Sequence, residues 1–470
     1  MTDSSAYTPE PGTPPASAPP ASAPPASAPP VGAPHLPTRT APLHQPRLPF
    51  GRALLYSSGN FGAGIFYAFN NFILSLYLNS LGAPAVLLGP LSNTRSAEGA
   101  IIQPLVGAWS DRTWNRLGRR RPFIVAFVPI SALFLVVTAF VPRFQASGHV
   151  FGLRPQVFTL ILVSVGIFLF TVTFNIMVDP YTALLADITP ARQRGNVNGI
   201  FQMVGAAGQM GVLLLSVFLF GAVSSGQGYF TLFLLTAGAL ILSFVPTVLG
   251  VREPRTLVDK AVPRRYTLRD YWLALRGERQ VQLYFAVQFF LWFGISAITP
   301  FLTIYAKVVI GLNNSGALLL SFILLASTAL FNWPAGALAD RLGLKRVFLV
   351  GMILLAGASI VGIFIRAPLL LYITLGVAGI GNAAQTGSSY PLLTRLVRPD
   401  RMGLYTGLNS TLTSIAAPVS GLIAGLVITA YGYTFMFPFV AAMFLLSLIP
   451  LAFLDLAKGE AHVRAELEAA

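Results

Sequence analysis

Long apolar stretches recur along the chain from Phe50 onward, separated by short polar connections. An α-helix needs about 20 residues to cross the hydrocarbon core of a bilayer. Twelve stretches reach that length, so the sequence predicts an all-α membrane protein with twelve transmembrane helices. They are placed at residues 52–80, 86–110, 121–142, 156–186, 195–222, 229–250, 281–308, 314–339, 345–365, 368–392, 403–430 and 433–455.

The composition agrees with a bilayer environment. Hydrophobic residues make up 54% of the chain and charged residues 10%, whereas soluble domains carry about 25% charged residues. The chain has no cysteine, which excludes disulfides, thiolate metal sites and cysteine nucleophiles. A cytosolic enzyme is therefore not expected.

One long internal connection divides the membrane part into two halves of six helices each. We predict an N-terminal bundle at 50–250, a basic linker at 251–280 and a C-terminal bundle at 281–456. Residues 1–49 contain three tandem PPASA units and few large apolar side chains, so we expect a disordered tail. Residues 457–470 are expected to form a second tail.

Positive charge is unevenly distributed between the two sides. With the N-terminus in the cytoplasm, the inner segments hold 26 of the 31 Lys and Arg residues. Because cytoplasmic loops are enriched in these residues, both termini should be cytoplasmic, in a multi-pass protein of the cell membrane. This distribution accounts for the pI near 10.4 without nucleic acid as a partner. We expect a monomer surrounded by the lipid bilayer.

A short motif recurs at the same position in each half. The pattern Gly-x-x-x-Asp-Arg begins at Gly107, at the end of the second helix, and again at Gly336, at the end of the eighth, 229 residues later. A second pair of similar segments, around Arg194 and Arg401, follows the fourth and tenth helices. Two motifs that recur at corresponding positions of both halves indicate duplication of a six-helix unit.

The charges of this motif have a physical use. An aspartate at a helix C-terminus is unfavourable against the helix dipole unless cations meet it. The glycine one turn earlier would let the second helix approach the other half. We predict a cytoplasmic charge latch that holds one conformation and releases in another, the alternative being arginines that only set topology. Its members are Gly107, Asp111, Arg112, Arg116, Arg120, Asp187, Arg194, Gly336, Asp340 and Arg341.

These segments resemble a known family. The resemblance is carried by residues 103–112 (QPLVGAWSDR), 116–124 (RLGRRRPFI) and 179–188 (DPYTALLADI). They are similar to the plant sucrose–proton symporters and their animal relatives, in the major facilitator superfamily, and the last also to the glycoside–pentoside–hexuronide cation symporters. Thr182 stands where the plant transporters carry an arginine. The resemblance implies two bundles around a central cavity, lined by helices 1, 4, 7 and 10, and transport by alternating access.

Three ionisable residues lie well inside the predicted spans: Arg95, Glu98 and Asp179. Such a group near the bilayer centre costs at least about 2.5–3.5 kcal/mol for Arg, Lys or Asp, so it usually has a partner or a function. Arg95 and Glu98 are three residues apart and can form a static pair. Alternatively, a desolvated carboxylate exchanges a coupling proton. We rank Asp179 ahead of Glu98 because Asp179 lacks a sequence-local cation and precedes Pro180, which loosens the helix.

Neutral polar and aromatic side chains follow helical stripes on the first and seventh helices. Amides and hydroxyls hydrogen-bond sugars, and aromatic faces cover their C–H surfaces. Hydrogen bonds between helices are the alternative use of such groups. The predicted sugar-binding residues are Asn60, Tyr67, Asn71, Gln288, Trp292, Asn382 and Gln385.

The residues and the resemblance together imply a secondary active transporter, namely a proton-coupled symporter for a disaccharide or glycoside. A proton-coupled exporter of drugs or other small molecules is the alternative. An intramembrane enzyme would need metal ligands or a nucleophile–base pair at membrane depth. All four histidines lie outside the predicted spans, so we expect no enzyme activity, no metal and no cofactor beyond the coupling ion, H⁺.

Overall fold

The computed structural model describes residues 48–144, 153–190, 193–251, 253, 278–398 and 401–468. Within these ranges, no side-chain description applies to residues 94–97, 100–101, 103–104, 108, 111–112, 403 and 466–467. The predicted N-terminal tail and basic linker lie almost entirely outside the described residues.

Helices dominate the described part of the chain, with an isolated bridge between Asn115 and Gly118. The membrane-length helices agree with the predicted positions to within a few residues. They are α1 (Phe50–Ser80), α2 (Ala85–Arg112), α3 (Arg121–Arg143), α4 (Pro155–Ile188), α5 (Arg194–Ala222), α6 (Ser225–Gly250), α7 (Arg279–Val308), α8 (Asn314–Leu342), α9 (Leu344–Phe364), α10 (Pro368–Leu396), α11 (Met402–Tyr431) and α12 (Tyr433–Phe453).

Eleven helices of the described chain are both long enough and apolar enough to cross a membrane. The other, α2, has 28 residues, which exceeds the length needed. It is less apolar because it carries Arg95, Glu98 and several small polar residues. α2 packs against α4 and α11 along its course, as a membrane-spanning helix of the bundle would. Hydropathy thus supports eleven spans, and length and packing support α2 as the twelfth.

The two halves pack their helices in the same pairs. In the first half, α1 contacts α5 and α6, α4 contacts α2 and α3, and α3 contacts α6. In the second half, α7 contacts α11 and α12, α10 contacts α8 and α9, and α9 contacts α12. Adding six to each number of the first set gives the second set. The prediction of two pseudo-symmetric six-helix bundles is therefore confirmed.

The connections after α2 and α8 also repeat a conformation. Gly118 and Gly343 have φ values of +109° and +94°, which favour glycine. A cation then reaches the end of another helix in each half. Arg121 donates to the backbone oxygen of Val248 in α6, and the Lys345 ammonium donates to the backbone oxygen that follows α12. The repeat therefore extends from sequence to hydrogen bonding.

The halves touch near one end of the bundle. We call the end that bears most helix-terminal cations the basic face and the other end the opposite face; the defining cations are Arg119, Arg120, Arg121, Arg194, Lys345 and Arg395. Near the opposite face, a Cβ atom at Gly89 of α2 would overlap the backbone of Gly421 in α11. Between α8 and α5, the Ser315 hydroxyl donates to the backbone oxygen of Val217 at 2.7 Å. These contacts close the opposite face.

The interface helices diverge toward the basic face. Met203 of α5 and Trp333 of α8 are 67% and 82% exposed. Within the described ranges, no atom lies within 4 Å of a Cβ built at Gly107 or Gly336. The expectation that Gly107 brings α2 close to the other half is therefore not met in this conformation, because the halves are apart at that end. The structure is open on the basic face.

Two helices are irregular at related depths. α1 contains a π-helical turn at Phe69–Ile73, a feature that often occurs at functional sites. α7 is interrupted between Ile298 and Leu302, where Pro300 lacks a backbone donor. The repeat spacing of 229 residues relates Asn71 to Pro300, so both halves break a helix at the same place.

The segment expected to form the C-terminal tail contains a helix, α13 (Leu456–Glu468). The backbone nitrogen of Asp455 donates to the Gln280 side chain at 2.8 Å, and Glu460 pairs with Arg395 at 3.5 Å. These contacts hold α13 against the basic ends of α7 and α10. The prediction missed α13 because its segment is too short and too charged to span a membrane.

Candidate functional site

A cavity of about 310 Å³ lies between the two halves, halfway along α7. Its volume is within the range of about 300–1,000 Å³ that is typical of small-molecule sites. Among the part of the lining that the structure describes, eight of eleven residues carry a hydrogen-bonding side chain and none carries a charge. They are Asn71, Asn93, Gly99, Trp292, Ile295, Ser296, Thr299, Ser410, Thr413, Ser414 and Ala417. The cavity therefore offers neutral hydrogen-bonding groups from both halves.

The π-helical turn of α1 separates two adjacent amides. Asn70 is 1% exposed, and its side-chain nitrogen donates to the backbone oxygen of Ser92 at 2.9 Å. Asn71, the next residue, lines the cavity. On α2, the Asn93 amide is held by a 3.0 Å hydrogen bond to the backbone oxygen of Gly89. Irregular backbone and local hydrogen bonds thus orient the amides on the first-half wall.

The predicted stripe on α7 consists of Gln288, Trp292, Ser296 and Thr299, and three of these four residues reach the cavity. Trp292, Ser296 and Thr299 line the cavity. Gln288, one turn earlier, is 1% exposed, and its amide nitrogen donates to the hydroxyl of Tyr284 at 2.6 Å. The part of the stripe nearer the basic face therefore lies inside the C-terminal bundle.

Six polar residues of the described cavity lining were not among the predicted sugar-binding residues: Asn93, Ser296, Thr299, Ser410, Thr413 and Ser414. Ser410 and Ser414 lie on α11, one turn apart, and Asn93 lies on α2. The sequence did contain a signal, since hydroxyl residues cluster at helical spacing around Thr413 within an otherwise apolar helix. The signal was weak because hydroxyls in membrane helices also serve packing.

Other predicted substrate residues lie outside the cavity lining of the described chain in this conformation. The Asn60 amide donates to the backbone oxygen of Phe201 at 2.7 Å and so joins α1 to α5. The Asn382 amide donates to the Thr328 hydroxyl at 3.3 Å and joins α10 to α8. Gln385 is 1% exposed. The remaining predicted residue, Tyr67, places its ring 5.8 Å from that of Phe174. Their role in substrate binding stays a prediction.

Glu98 precedes Gly99, a residue that lines the cavity, on α2. Glu98 is 8% exposed. Its carboxylate accepts hydrogen bonds from the Thr171 hydroxyl at 2.9 Å and the Asn175 amide at 3.5 Å, both on α4. Thr171, Asn175 and Asp179 follow one another at intervals of four residues. One face of α4 therefore carries polar groups over ~12 Å, from Thr171 beside Glu98 to Asp179.

Asp179 is half-buried, and α4 continues through Pro180 to Ile188. The hydroxyl of Thr182 donates to the backbone oxygen of Asp179 at 3.0 Å. The proline thus removes one backbone donor without ending the helix. The side chain of Arg95 lies outside the described residues, so the Arg95–Glu98 pair stays a prediction.

An ion-pair network joins three helices at the basic face. The Asp187 carboxylate of α4 accepts from Arg119 at 2.8 Å and from Arg120 at 3.2 Å. Arg120 also donates to the Ser110 hydroxyl of α2 at 2.7 Å. Two members of the predicted latch, Arg120 and Asp187, are therefore in contact within the first half.

The remaining members of the predicted latch are placed differently. Arg194 donates to the backbone oxygen of Ala186 at 3.0 Å, near the end of α4. Arg116, Asp340 and Arg341 are exposed. The side chains of Asp111 and Arg112 lie outside the described residues. A latch between the halves stays a prediction, since the halves are apart at this face.

Glu253 is a member of this network that the sequence did not reveal. Its carboxylate accepts hydrogen bonds from the backbone nitrogens of Arg119, Arg120 and Arg121, at 2.7, 2.9 and 2.9 Å. A carboxylate at a helix N-terminus is stabilised by the free N–H groups and the helix dipole. A Cβ atom at Gly118 would lie 2.7 Å from the Glu253 carboxyl carbon, so glycine is required there. The acid was missed because it begins a strongly basic linker.

Two helical bundles around a cavity at mid-depth, closed at one face and open at the other, define a secondary transporter that works by alternating access. A family model described as MFS/sugar transport protein matches residues 55–454. The chain belongs to that family of the major facilitator superfamily and is a multi-pass membrane transporter, not an enzyme. The resemblance inferred from the motif segments is confirmed.

Individual relatives support the same assignment. The isoprimeverose transporter of Lactiplantibacillus pentosus is 23% identical over 416 residues, covering 83% of this chain and 82% of that protein. The sucrose transport protein SUC4 of Arabidopsis thaliana is 33% identical over 177 residues, 35% of this chain and 33% of that protein. The crystal structure of a D-xylose-proton symporter matches with a TM-score of 0.67 and 17% identity, covering 87% of this chain and 99% of that one. At that identity, the match establishes the fold.

Proposed function

We propose that this chain is a proton-coupled sugar symporter whose cargo is a disaccharide or glycoside. The observation that carries the proposal is the uncharged polar lining of the central cavity. Hydroxyls and amides can pair with the hydroxyls of a sugar, and the Trp292 indole can cover a C–H face. A charged cargo would find no counter-charge among the lining side chains that the structure describes. The names of the relatives, which include isoprimeverose and sucrose transporters, point to the same class of cargo.

Coupling to the proton is assigned to Glu98 and Asp179. The hydrogen bonds from Thr171 and Asn175 hold the Glu98 carboxylate between α2 and α4. Because Gly99 and Asn93 on the same helix line the cavity, the charge of Glu98 can influence the wall that contacts the sugar. The polar face of α4 extends from the level of Glu98 past Asp179 toward the basic face.

Alternating access would exchange the contacts at the two faces. In the observed state, α2 and α11 approach closely at the opposite face and the basic face is open. The network around Asp187 keeps α2, α3 and α4 together at their basic ends, so these helices would move as one body. The excess of cations supports a cytoplasmic basic face, with both termini cytoplasmic in the plasma membrane.

Uptake by reconstituted vesicles tests the proposal. A panel including isoprimeverose, sucrose, lactose and xylose is offered with an inward proton gradient and, separately, with an inward sodium gradient. We expect accumulation of at least one sugar with protons. Asp179→Asn or Glu98→Gln should abolish accumulation while counterflow persists. The control is Glu460→Gln, which changes a half-buried carboxylate on α13, outside the membrane-spanning helices. Failure of every sugar to accumulate, or efflux of drugs with no sugar uptake, would overturn the proposal.

A further inference from the structure

A second pocket lies within the N-terminal bundle, away from the central cavity. It occupies about 680 Å³ between the ends of α1, α3 and α6 at the opposite face, compared with about 310 Å³ for the central cavity. Aromatic rings form one wall: the Tyr77 ring lies 5.3 Å from that of Tyr229 and 4.9 Å from that of Phe233. The pocket is not on the path between the halves.

One cation, the exposed Arg143, stands at the mouth of this pocket. Its guanidinium carbon lies 3.3 Å from the centroid of the Phe230 ring and 5.7 Å from that of Phe140. Stacking on a ring uses the face of the guanidinium and leaves the N–H groups at its edge available to an oxyanion. Ring stacking therefore orients Arg143 for an acceptor beyond the protein.

The chain itself supplies no counter-charge at this face. In the part that the structure describes, no carboxylate forms an ion pair with Arg143. By position in the sequence, none of the 16 acidic residues falls in the connections at the opposite face. Four cations lie in those connections or at the helix ends beside them: Arg143, Arg154, Lys307 and Arg366. The part of the chain that the structure describes therefore supplies no anionic partner for Arg143.

The start of α6 adds to the attraction for an anion. Ser225, Gly226 and Gln227, its first residues, line the pocket, and the first N–H groups of a helix lack intrahelical acceptors. The Ser224 side chain makes no capping hydrogen bond, and the first turn has no acidic residue. The helix dipole therefore reinforces the charge of Arg143 at the mouth.

The surroundings of the mouth identify the kind of anion. Exposed apolar residues recur on one face of α3 at intervals of three or four, at Leu133, Val137 and Phe140, and the exposed Phe144 directly follows the helix. This stripe is typical of a surface that faces lipid, and it ends beside Arg143. The mouth of the pocket is therefore at the level where acyl chains meet headgroups. A phosphate group that is joined to apolar chains can pair with Arg143, while its chains pack against the aromatic rings.

We propose that this pocket binds the phosphate headgroup of an anionic phospholipid in the leaflet at the opposite face. Arg143 and the start of α6 hold the phosphate, and the half-buried ring of Phe230 and the exposed ring of Phe140 contact the glycerol and the first acyl carbons. The site is independent of the cargo of the central cavity.

Native mass spectrometry of the purified full chain tests this proposal by titration with phosphatidylglycerol. Arg143→Gln should weaken apparent binding about tenfold, since it removes charge-assisted hydrogen bonds to the phosphate. Arg143→Lys, which keeps the charge but not the fork of donors, should give a smaller loss. Arg154→Gln removes an exposed cation from the same face and should leave binding unchanged.

Two comparisons decide the source of the phosphate. Phosphatidylglycerol should remain bound in excess inorganic phosphate, and phosphatidylcholine should bind more weakly and with less dependence on Arg143. Equal binding by the wild type and Arg143→Gln, with both proteins monodisperse, would overturn the site. Full displacement of the lipid by inorganic phosphate would overturn the assignment to a lipid.

Discussion

Replacement of Gly89 by alanine tests the contact that closes the opposite face. A Cβ atom there would overlap the backbone of Gly421 on α11, and a backbone group cannot rotate away as the end of a side chain can. Overpacking of this kind costs about 1–3 kcal/mol. Because the strain exists only while α2 and α11 touch, Gly89→Ala should shift the conformational equilibrium away from this state by about 5- to 150-fold.

A single thiol can report the shift, because the chain has no cysteine of its own. Thr303 of α7 is fully buried, and its hydroxyl donates to the backbone oxygen of Phe72 in α1 at 3.3 Å, across the closed face. In a Thr303→Cys background, a membrane-impermeant maleimide should label the protein faster when Gly89→Ala is added, by a factor within that range.

The matched control is Gly238→Ala on α6. The described residues place no atom within 4 Å of a Cβ at Gly238, so this variant adds the same methyl group without a clash. Equal labelling rates for Gly89→Ala and Gly238→Ala would refute the reasoning that close backbone contact at Gly89 holds the opposite face closed.

Other substitutions separate stability from binding. Glu253→Gln should lower the free energy of unfolding by about 1–2 kcal/mol, because the negative charge that three backbone N–H groups bind is lost. Thermal unfolding in detergent measures this loss. The control variant Glu460→Gln should have little effect. Asn71→Ala should raise the KM for sugar about 2- to 12-fold through one lost hydrogen bond. Asn60→Ala should leave KM unchanged and lower the unfolding temperature, since its amide joins α1 to α5. A raised KM for Asn60→Ala, or an unchanged KM and a lowered unfolding temperature for Asn71→Ala, would contradict the positions given to these two amides.

The helices were predictable because membrane length and hydropathy act locally. Even α2 was found, although its charged residues make it too polar for a hydropathy criterion. The duplicated motif then predicted the pairing of helices within each half, which the packing confirms. The conformation was not predictable, because the same sequence must form both the open and the closed states. Gly107 therefore has a neighbour only if the halves close at the basic face.

The site was predictable only in part. A helical stripe shows that Asn60 and Asn71 share a face of α1, but it does not show that α5 covers one end of that face. The π-helical turn also moves Asn71 relative to Asn70, and no residue pattern signals such a turn. Thr171 and Asn175 were missed for a related reason, since a hydroxyl and an amide on α4 gain meaning only once Glu98 is seen beside them.

The central claim is that sugar occupies the cavity between the halves. A Ser414→Cys variant places the only thiol of the chain in the cavity wall, and its labelling rate is measured with and without a transported sugar. At a sugar concentration of about ten times Kd, the rate should fall about tenfold by mass action. A Met203→Cys reporter, at a 67% exposed position on α5, should be unaffected. Labelling of the Ser414→Cys variant at one rate with and without every transported sugar would contradict the account.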